Sequence, residues 1–224
     1  MIEAVIFDLD GTLIDSMGVW DKVDIEFLNK RNITVPDNLF ADISGGNGFN
    51  DLAILFRKRF QLTESLEQIK EEWQSMVEGY YRHDLKIRDN VFDVLTLLKE
   101  KGLKLAIGTS NSEHLARLAL ESNNISTFFS FMSCGCHNVI GKPQPDIYLR
   151  AAKNIGIEPE KCLVIEDSLV GVQAGKNANM KVFSIADDYS IKDLDAIINA
   201  SDKHFDNYDE MYHFFKENLK KVSL

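Results

Sequence analysis

Two aspartates near the start of the chain are well placed to do chemistry. Asp8 and Asp10 lie in the segment DLDGT, directly after the short apolar run Ala4 to Phe7. That run has the β-branched and aromatic character of a buried strand, and the glycine after it indicates a turn. Residues two apart in an extended chain point to the same side, so both carboxylates project beyond the carboxyl end of the strand. A carboxylate pair of this kind suits Mg2+, which takes oxygen ligands from one or two carboxylates together with substrate phosphate. The alternative is a turn or capping role, the usual one for a lone aspartate after a strand.

A second acidic pair follows another buried strand. Glu166 and Asp167 come after the apolar run Cys162 to Ile165 and before a helical pattern. Alone, this pair could cap the helix and complement its dipole. Together with Asp8 and Asp10 it brings four carboxylates to one edge of one sheet, where they would repel each other strongly unless a cation lay among them. We therefore interpret the four residues as a metal site.

Two further segments carry groups that suit a phosphate. Lys142 stands in the loop GKPQPD, where two prolines fix φ and open a helix, so the loop should hold its ammonium group more rigidly than an ordinary surface loop would. Thr109, Ser110 and Asn111 follow the apolar run Leu103 to Ile107. There, a hydroxyl and backbone N–H groups near a helix N-terminus can hold phosphate oxygens. A helix N-cap is the simpler interpretation of those three residues.

Short apolar runs and amphipathic segments alternate along most of the chain. The runs typical of buried strands are Ala4 to Phe7, Leu103 to Ile107, Ser130 to Ser133, Cys162 to Ile165 and Val182 to Ile185. The segments with helical spacing are Asn90 to Glu100, His114 to Ser122, Ile147 to Asn154 and Leu169 to Asn177, and a last helix is predicted from Tyr208 to Leu224. This alternation predicts an α/β fold, a Rossmann-like parallel sheet covered by helices on both faces.

Residues 16–84 break the alternation, because they hold helical patterns and no convincing strand. The patterns run from Met17 to Arg31, from Asp51 to Phe60 and from Ser65 to Tyr81. A helical block of this size directly after the first strand predicts an inserted domain whose ends lie close together. We therefore expect an α/β core made of residues 1–15 and 85–224, and an all-helical cap domain of residues 16–84 over the sheet edge.

Composition excludes several classes of protein. The chain has 224 residues, 45% of them hydrophobic, which is ordinary globular composition. With 25 Lys and Arg against 35 Asp and Glu, the net charge of −10 argues against binding nucleic acid. The N-terminus lacks a basic region and has two aspartates where a signal peptide is apolar, and no apolar run approaches a membrane span. The three cysteines fit a reducing compartment. We expect a cytoplasmic protein that binds no membrane and is a monomer.

The ordered motifs resemble those of the haloacid dehalogenase-like hydrolase superfamily. The resemblance covers the whole chain, and the helical insert is similar to the cap of the branch that includes β-phosphoglucomutase and phosphoglycolate phosphatase. The motifs, in chain order, are DLDGT at Asp8 to Thr12, Thr109, Lys142 in its GKPQPD loop, and Glu166 with Asp167. The resemblance implies a Mg2+-dependent phosphatase that acts on a small phosphorylated metabolite.

The resemblance also implies a role for each matched residue. Asp8 is the nucleophile that accepts the phosphoryl group, and Asp10 protonates the leaving oxygen and then activates water. The implied Mg2+ ligands are the Asp8 carboxylate, the Asp10 carbonyl and Asp167, with Glu166 nearby, and the implied phosphate-binding residues are Thr109, Ser110 and Lys142. An aspartyl-phosphate would split ester hydrolysis into two easier steps. Dehalogenation is disfavoured, because dehalogenases lack a second aspartate at the place of Asp10.

The substrate is less well determined, because the chain departs from the mutases of the branch. Where those enzymes carry a histidine early in the cap, this chain has Trp20, and residues 44–50 lack the Lys and Arg used on a second phosphate. A phosphatase is favoured over a phosphosugar mutase, although Arg57 and Lys58 could partly compensate. Candidate substrate-binding residues are Trp20, Gly46, Asn47, Phe49 and Asn111. Trp20 and Phe49, with Met17, could equally belong to the core of the cap.

Three alternatives have less support. A signalling receiver also accepts phosphate on an aspartate, but such modules are shorter, lack a cap and carry the acceptor on a central strand. A non-catalytic, phosphate-binding member of the family would be expected to lack a competent residue at some motif position. The cluster Cys134, Cys136 and His137 offers at most three ligands, whereas structural zinc sites take four.

Overall fold

The protein consists of two compact units. The structure, a computed structural model, describes residues 1–36, 39, 49–135 and 140–219, without the side chains of residues 49–51. One unit comprises Met1–Asp15 and Leu85–Leu224, and the other comprises Ser16–Asp84. Among the helices of the described residues, none is long and apolar enough to span a bilayer.

The larger unit is built on a parallel sheet. Across the described ranges it has six strands in the order β3-β2-β1-β4-β5-β6. Their bounds are β1 Ala4–Phe7, β2 Lys104–Thr109, β3 Phe131–Cys134, β4 Cys162–Glu166, β5 Lys181–Ile185 and β6 Lys203–Phe205. Phe7, the last residue of β1, pairs with Ile107 of β2 and Ile165 of β4. The residues after β1, β2 and β4 therefore meet at one edge of the sheet.

Helices cover the sheet and confirm the predicted fold class. The α-helices of the larger unit, numbered in chain order after the three of the smaller unit, are α4 Val91–Glu100, α5 Glu113–Ser122, α6 Asp146–Ile155, α7 Leu169–Asn177, α8 Leu194–Ala200 and α9 Tyr208–Asn218. Every residue of β1 is fully buried, so both of its faces are covered. A strand buried on both faces is continuously apolar rather than alternating, which is why the run Ala4 to Phe7 was recognisable in the sequence.

The structure differs from the sequence-based prediction at several elements. Strand β6 and helix α8 were not predicted. Strand β6 has only three residues, of which Lys203 is exposed and His204 half-buried, and helix α8 has only seven residues. Strand β2 continues past the apolar run to Thr109, which pairs with Cys134. The last helix ends at Asn218 rather than Leu224, and residues 220–224 lie outside the described residues.

The described residues of the smaller unit form three α-helices and no strand. They are α1 Met17–Asn29, α2 Phe49–Arg59 and α3 Leu66–His83. One aromatic cluster joins them, since the ring of Trp73 lies 5.3 Å from that of Phe27 and 4.9 Å from that of Phe56. The side chain of Ser65 accepts a hydrogen bond from the Gln68 backbone N–H, and the Gln68 side chain accepts one from the Ser65 N–H. This capping box fixes the start of α3.

Candidate active site

The turn after β1 places Asp8 and Asp10 at the carboxyl edge of the sheet. The backbone N–H of Asp8 donates to the carbonyl of Ile165 at 2.9 Å, which continues the pairing with β4. Gly11 then adopts φ +81°, in the left-handed region that favours glycine. A Cβ at Gly11 would lie 2.6 Å from the Asp167 carboxylate. Glycine at this position therefore permits both the turn and the close approach of Asp167.

A buried lysine joins the first and last motifs. The ammonium group of Lys142 donates to Oδ1 of Asp8 and, at 2.6 Å, to Oε1 of Glu166. The three side chains are only 7%, 8% and 1% exposed, respectively. Burial of charged groups is costly unless they are paired, so this trio is mutually dependent.

Glu166 is held by hydrogen-bond donors on both of its oxygens. Besides Lys142, Oε1 accepts from the Tyr148 hydroxyl at 2.8 Å. The second oxygen, Oε2, accepts from the backbone N–H groups of Asp167 and Ser168, both at 2.9 Å, and from the Ser168 hydroxyl at 3.0 Å. Burial alone would raise the pKa of Glu166, but Lys142 and these donors hold it below its usual range. Glu166 is therefore ionised and serves as a fixed counterion for Lys142.

Asp167 lies beside this trio. Its Oδ1 accepts a hydrogen bond from the Thr12 hydroxyl at 2.6 Å. Oxygen atoms of Asp8, Glu166 and Asp167 all lie within 4.8 Å of one another. A helix-capping role for the acidic pair is wrong, because the N-cap of α7 is Ser168, whose side chain accepts from the Gly171 N–H.

The charge balance of the cluster fits a divalent cation. Burial, with added repulsion from Glu166 and Asp10, raises the pKa of Asp8 to about 8 despite the opposing effect of Lys142. Burial and the neighbouring Glu166 and Asp8 also hold the pKa of Asp167 well above its usual range. When ionised, the three carboxylates and one ammonium group carry a formal charge of −2. A hard, doubly charged ion with oxygen ligands would neutralise that charge, and the carboxylate donors suit one.

Asp10 faces the segment that follows β2. Its Oδ2 accepts from the side-chain amide of Asn111 at 3.0 Å, and the Thr109 hydroxyl lies 3.5 Å from the same oxygen. The interpretation of residues 109–111 as an N-cap is wrong, because Ser112 caps α5 by accepting from the Leu115 N–H. Ser110 is exposed. The structure thus brings Thr109 and Asn111 together with Asp10.

The remaining candidates lie elsewhere. Trp20 is on α1 in the smaller unit and is half-buried. Gly46, Asn47 and the side chain of Phe49 fall outside the described residues. Of the cysteine–histidine cluster, Cys134 is buried at the end of β3, whereas Cys136 and His137 also fall outside the described residues.

Sequence reasoning missed several residues that build the site. They are Thr12, Tyr148, Ser168 and Gly171. The sequence signal for Thr12 is its place in the DLDGT segment, two residues after Asp10. The sequence carries no signal for Tyr148, because a tyrosine at helical spacing is indistinguishable from a core residue of α6.

A matched pair of glycine substitutions tests how tightly Glu166 is held. A Cβ at Gly171, in the first turn of α7, would overlap the Glu166 carboxylate, whereas a Cβ at Gly79 in α3 meets nothing within 4 Å. We expect Gly171→Ala to lower the free energy of unfolding by about 1–3 kcal/mol, because the carboxylate must shift. Gly79→Ala should raise it by about 0.5–1 kcal/mol through helix propensity. Urea unfolding followed by circular dichroism measures both, and stabilisation by both variants would contradict the packing around Glu166.

Comparison with known proteins places the chain in a family. The model of the haloacid dehalogenase-like hydrolases matches residues 2–179. A phosphorylated carbohydrates phosphatase from Thermotoga maritima is 29% identical over 219 residues, covering 97% of this chain and 100% of the relative. Two solved structures share the fold. CbbY from Rhodobacter sphaeroides in complex with phosphate has a TM-score of 0.83 at 21% identity, and the match covers 94% of this chain and 96% of that one. β-Phosphoglucomutase from Clostridium difficile has a TM-score of 0.78 at 22% identity, and the match covers 97% of this chain and 96% of that one. The chain belongs to the haloacid dehalogenase-like hydrolases.

Proposed function

We propose that the protein is a Mg2+-dependent phosphatase that hydrolyses a small phosphorylated metabolite through an aspartyl-phosphate on Asp8. The observation that carries the proposal is the contact of the buried Lys142 ammonium group with Asp8 and Glu166, beside Asp167. A nucleophilic carboxylate, a fixed cation and a place for a divalent ion are what phosphoryl transfer needs.

The chain's own residues account for both half-reactions. In the first, a carboxylate oxygen of Asp8 bonds to phosphorus while the bond to the ester oxygen breaks, and Asp10 gives its proton to that leaving oxygen. In the second, Asp10 takes a proton from water, the water oxygen bonds to phosphorus, and the bond to Asp8 breaks. Inorganic phosphate leaves and both aspartates return to their starting states.

Lys142 serves two purposes in this scheme. Its contact with Asp8 favours the ionised, nucleophilic carboxylate against a burial that raises the pKa of that group. During transfer, its positive charge offsets negative charge on the phosphoryl oxygens. Thr109 and Ser110 would donate further hydrogen bonds to those oxygens.

The metal would be held by the Asp8 carboxylate, the Asp10 carbonyl and Asp167, with Glu166 nearby. When bound, Mg2+ supplies charge neutralisation and orients the phosphoryl group. Among the described hydrogen bonds, Lys142 contacts the carboxylates of Asp8 and Glu166 but not that of Asp167, which accepts from Thr12. Asp167 is therefore the carboxylate of the cluster best able to give an oxygen to the ion.

A phosphorylated carbohydrate is the favoured substrate class. It is supported by the activity named for the Thermotoga maritima relative. We propose that residues 16–84 form a cap domain inserted into the α/β core and carry the substrate-binding residues, Trp20, Gly46, Asn47 and Phe49 among them. A phosphosugar mutase is the second candidate, which the β-phosphoglucomutase fold favours and the tryptophan at position 20 disfavours. The cytoplasmic location and the monomeric state stay predictions.

The proposal is tested by phosphate release from a panel of small phosphate esters, with Mg2+ and with a chelator. We expect turnover of at least one sugar phosphate with Mg2+, and a loss of about 100-fold or more in chelator, because the carboxylate cluster is then left without its cation. Conversion of a hexose 1-phosphate into its isomer, given a bisphosphate primer, would favour the mutase. No reaction with any ester would favour a non-catalytic, phosphate-binding protein.

A further inference from the structure

The hydroxyl of Tyr148 contacts the oxygen of Glu166 that also accepts from Lys142. Tyr148 lies in the first turn of α6 and is fully buried. Its hydroxyl donates to Oε1 of Glu166 at 2.8 Å, while Lys142 donates to that oxygen at 2.6 Å. Because Oε1 has two acceptor positions, the tyrosine fills one and leaves the other to the lysine.

The ring of Tyr148 also contacts the lysine. The ammonium nitrogen of Lys142 lies 5.1 Å from the ring centroid, within the range of a cation–π interaction. One side chain therefore contacts the lysine directly through its ring and indirectly, by way of Glu166, through its hydroxyl. Replacement by phenylalanine separates the two contacts, since it keeps the ring and removes the hydroxyl.

A glycine in β2 leaves room for the ring of Tyr148. At Gly108 of β2, a Cβ would lie 2.7 Å from the Tyr148 ring. Any larger residue there would displace the tyrosine. Because Gly108 has no side chain, the Tyr148 ring can pack against β2 with its hydroxyl at Glu166, the last residue of β4.

We propose that Tyr148 is a positioning residue, whose hydroxyl orients the Glu166 carboxylate and thereby fixes the Lys142 ammonium group against Asp8. The backbone N–H groups that hold the other oxygen of Glu166 leave Oε1 to be set by Tyr148 and Lys142. The catalytic consequence rests on the proposed function, because there Lys142 must keep its place while the phosphoryl group moves between the ester and Asp8.

The decisive variant is Tyr148→Phe, and the decisive signal is that of the Lys142 ammonium group. That group, 15N-labelled, gives a proton–nitrogen NMR signal that is assigned by its loss in Lys142→Met. We expect Tyr148→Phe to shift or broaden this signal. The matched control is Tyr81→Phe, which removes the hydroxyl of an equally buried tyrosine in α3 of the smaller unit and should leave the signal unchanged.

Kinetics on the best phosphate ester complete the test. We expect Tyr148→Phe to lower kcat by about tenfold while KM stays within about twofold, since the lost interaction acts in the transition state. An unchanged Lys142 signal would overturn the proposal whatever the kinetics, and a changed signal with unchanged kcat would overturn its catalytic consequence. If the wild type hydrolyses no ester, the proposed function fails, but the Lys142 signal still decides whether Tyr148 positions the lysine.

Discussion

Asp8→Asn is expected to abolish phosphate release, with a loss of at least about 1,000-fold in kcat, because an amide cannot replace the carboxylate as nucleophile. The variant should fold at least as well as the wild type. Burial raises the pKa of Asp8 to about 8, so the folded state disfavours the charge that the substitution removes. Activity should therefore be lost without a loss of stability, which distinguishes a lost nucleophile from a lost fold.

Asp93→Asn is the matched control. Asp93 is exposed in the first turn of α4, so the same substitution there should leave turnover unchanged and lower the free energy of unfolding by at most about 1 kcal/mol, through loss of a charge that complements the helix dipole. Phosphate release is measured on the preferred ester with Mg2+, and thermal unfolding of all three proteins is measured in chelator. Activity of Asp8→Asn within tenfold of the wild type would remove Asp8 from the role of nucleophile.

Lys142→Met is expected to impair both activity and stability. Turnover should fall by at least about 100-fold, because the cation that offsets charge on the phosphoryl oxygens is lost. The free energy of unfolding at pH 8 should fall by about 3–5 kcal/mol, since Asp8 and Glu166 would remain buried without their counterion. Without the lysine, the pKa of both carboxylates would rise.

The sign of the pH dependence follows from those raised pKa values. Carboxylates whose folded-state pKa is raised bind protons more tightly in the folded protein, so the stability of Lys142→Met should fall as pH rises. The difference from the wild type should therefore be smaller at pH 5 than at pH 8. Lys153→Met, an exposed position on α6, is the control for loss of a lysine. Urea unfolding in chelator at both pH values measures the effect, and equal stability of Lys142→Met and the wild type at pH 8 would contradict it.

The fold was predictable because its central strand is continuously apolar. The run Ala4 to Phe7 lies in the middle of a parallel sheet, and the ends of such strands share an edge, so the gathering of Asp8 with Glu166 and Asp167 followed from topology. The comparison confirmed the family that the motifs resemble, whereas the roles that the resemblance implies for these residues stay predictions.

The contacts within the site were not predictable to the same extent. Tyr148 has the spacing of a core residue, and only the three-dimensional path of α6 brings its hydroxyl to Glu166. Strand β6 is too short and too polar to give a pattern. The N-cap of α5 was misplaced because several hydrogen-bonding residues stand in a row before that helix, and the sequence does not determine which of them meets the free N–H groups.

The central claim, a phosphoryl group carried on Asp8, is tested most directly by trapping that group. Asp10→Ala lacks the residue proposed to activate water, so it should accumulate the intermediate from an ester with a good leaving group, such as 4-nitrophenyl phosphate. Acid quenching and borohydride reduction convert an aspartyl-phosphate into homoserine, which mass spectrometry locates in the peptide. The account predicts homoserine at position 8 and at no other aspartate. Homoserine at another position, or release of phosphate by the wild type with none trapped at position 8, would contradict it.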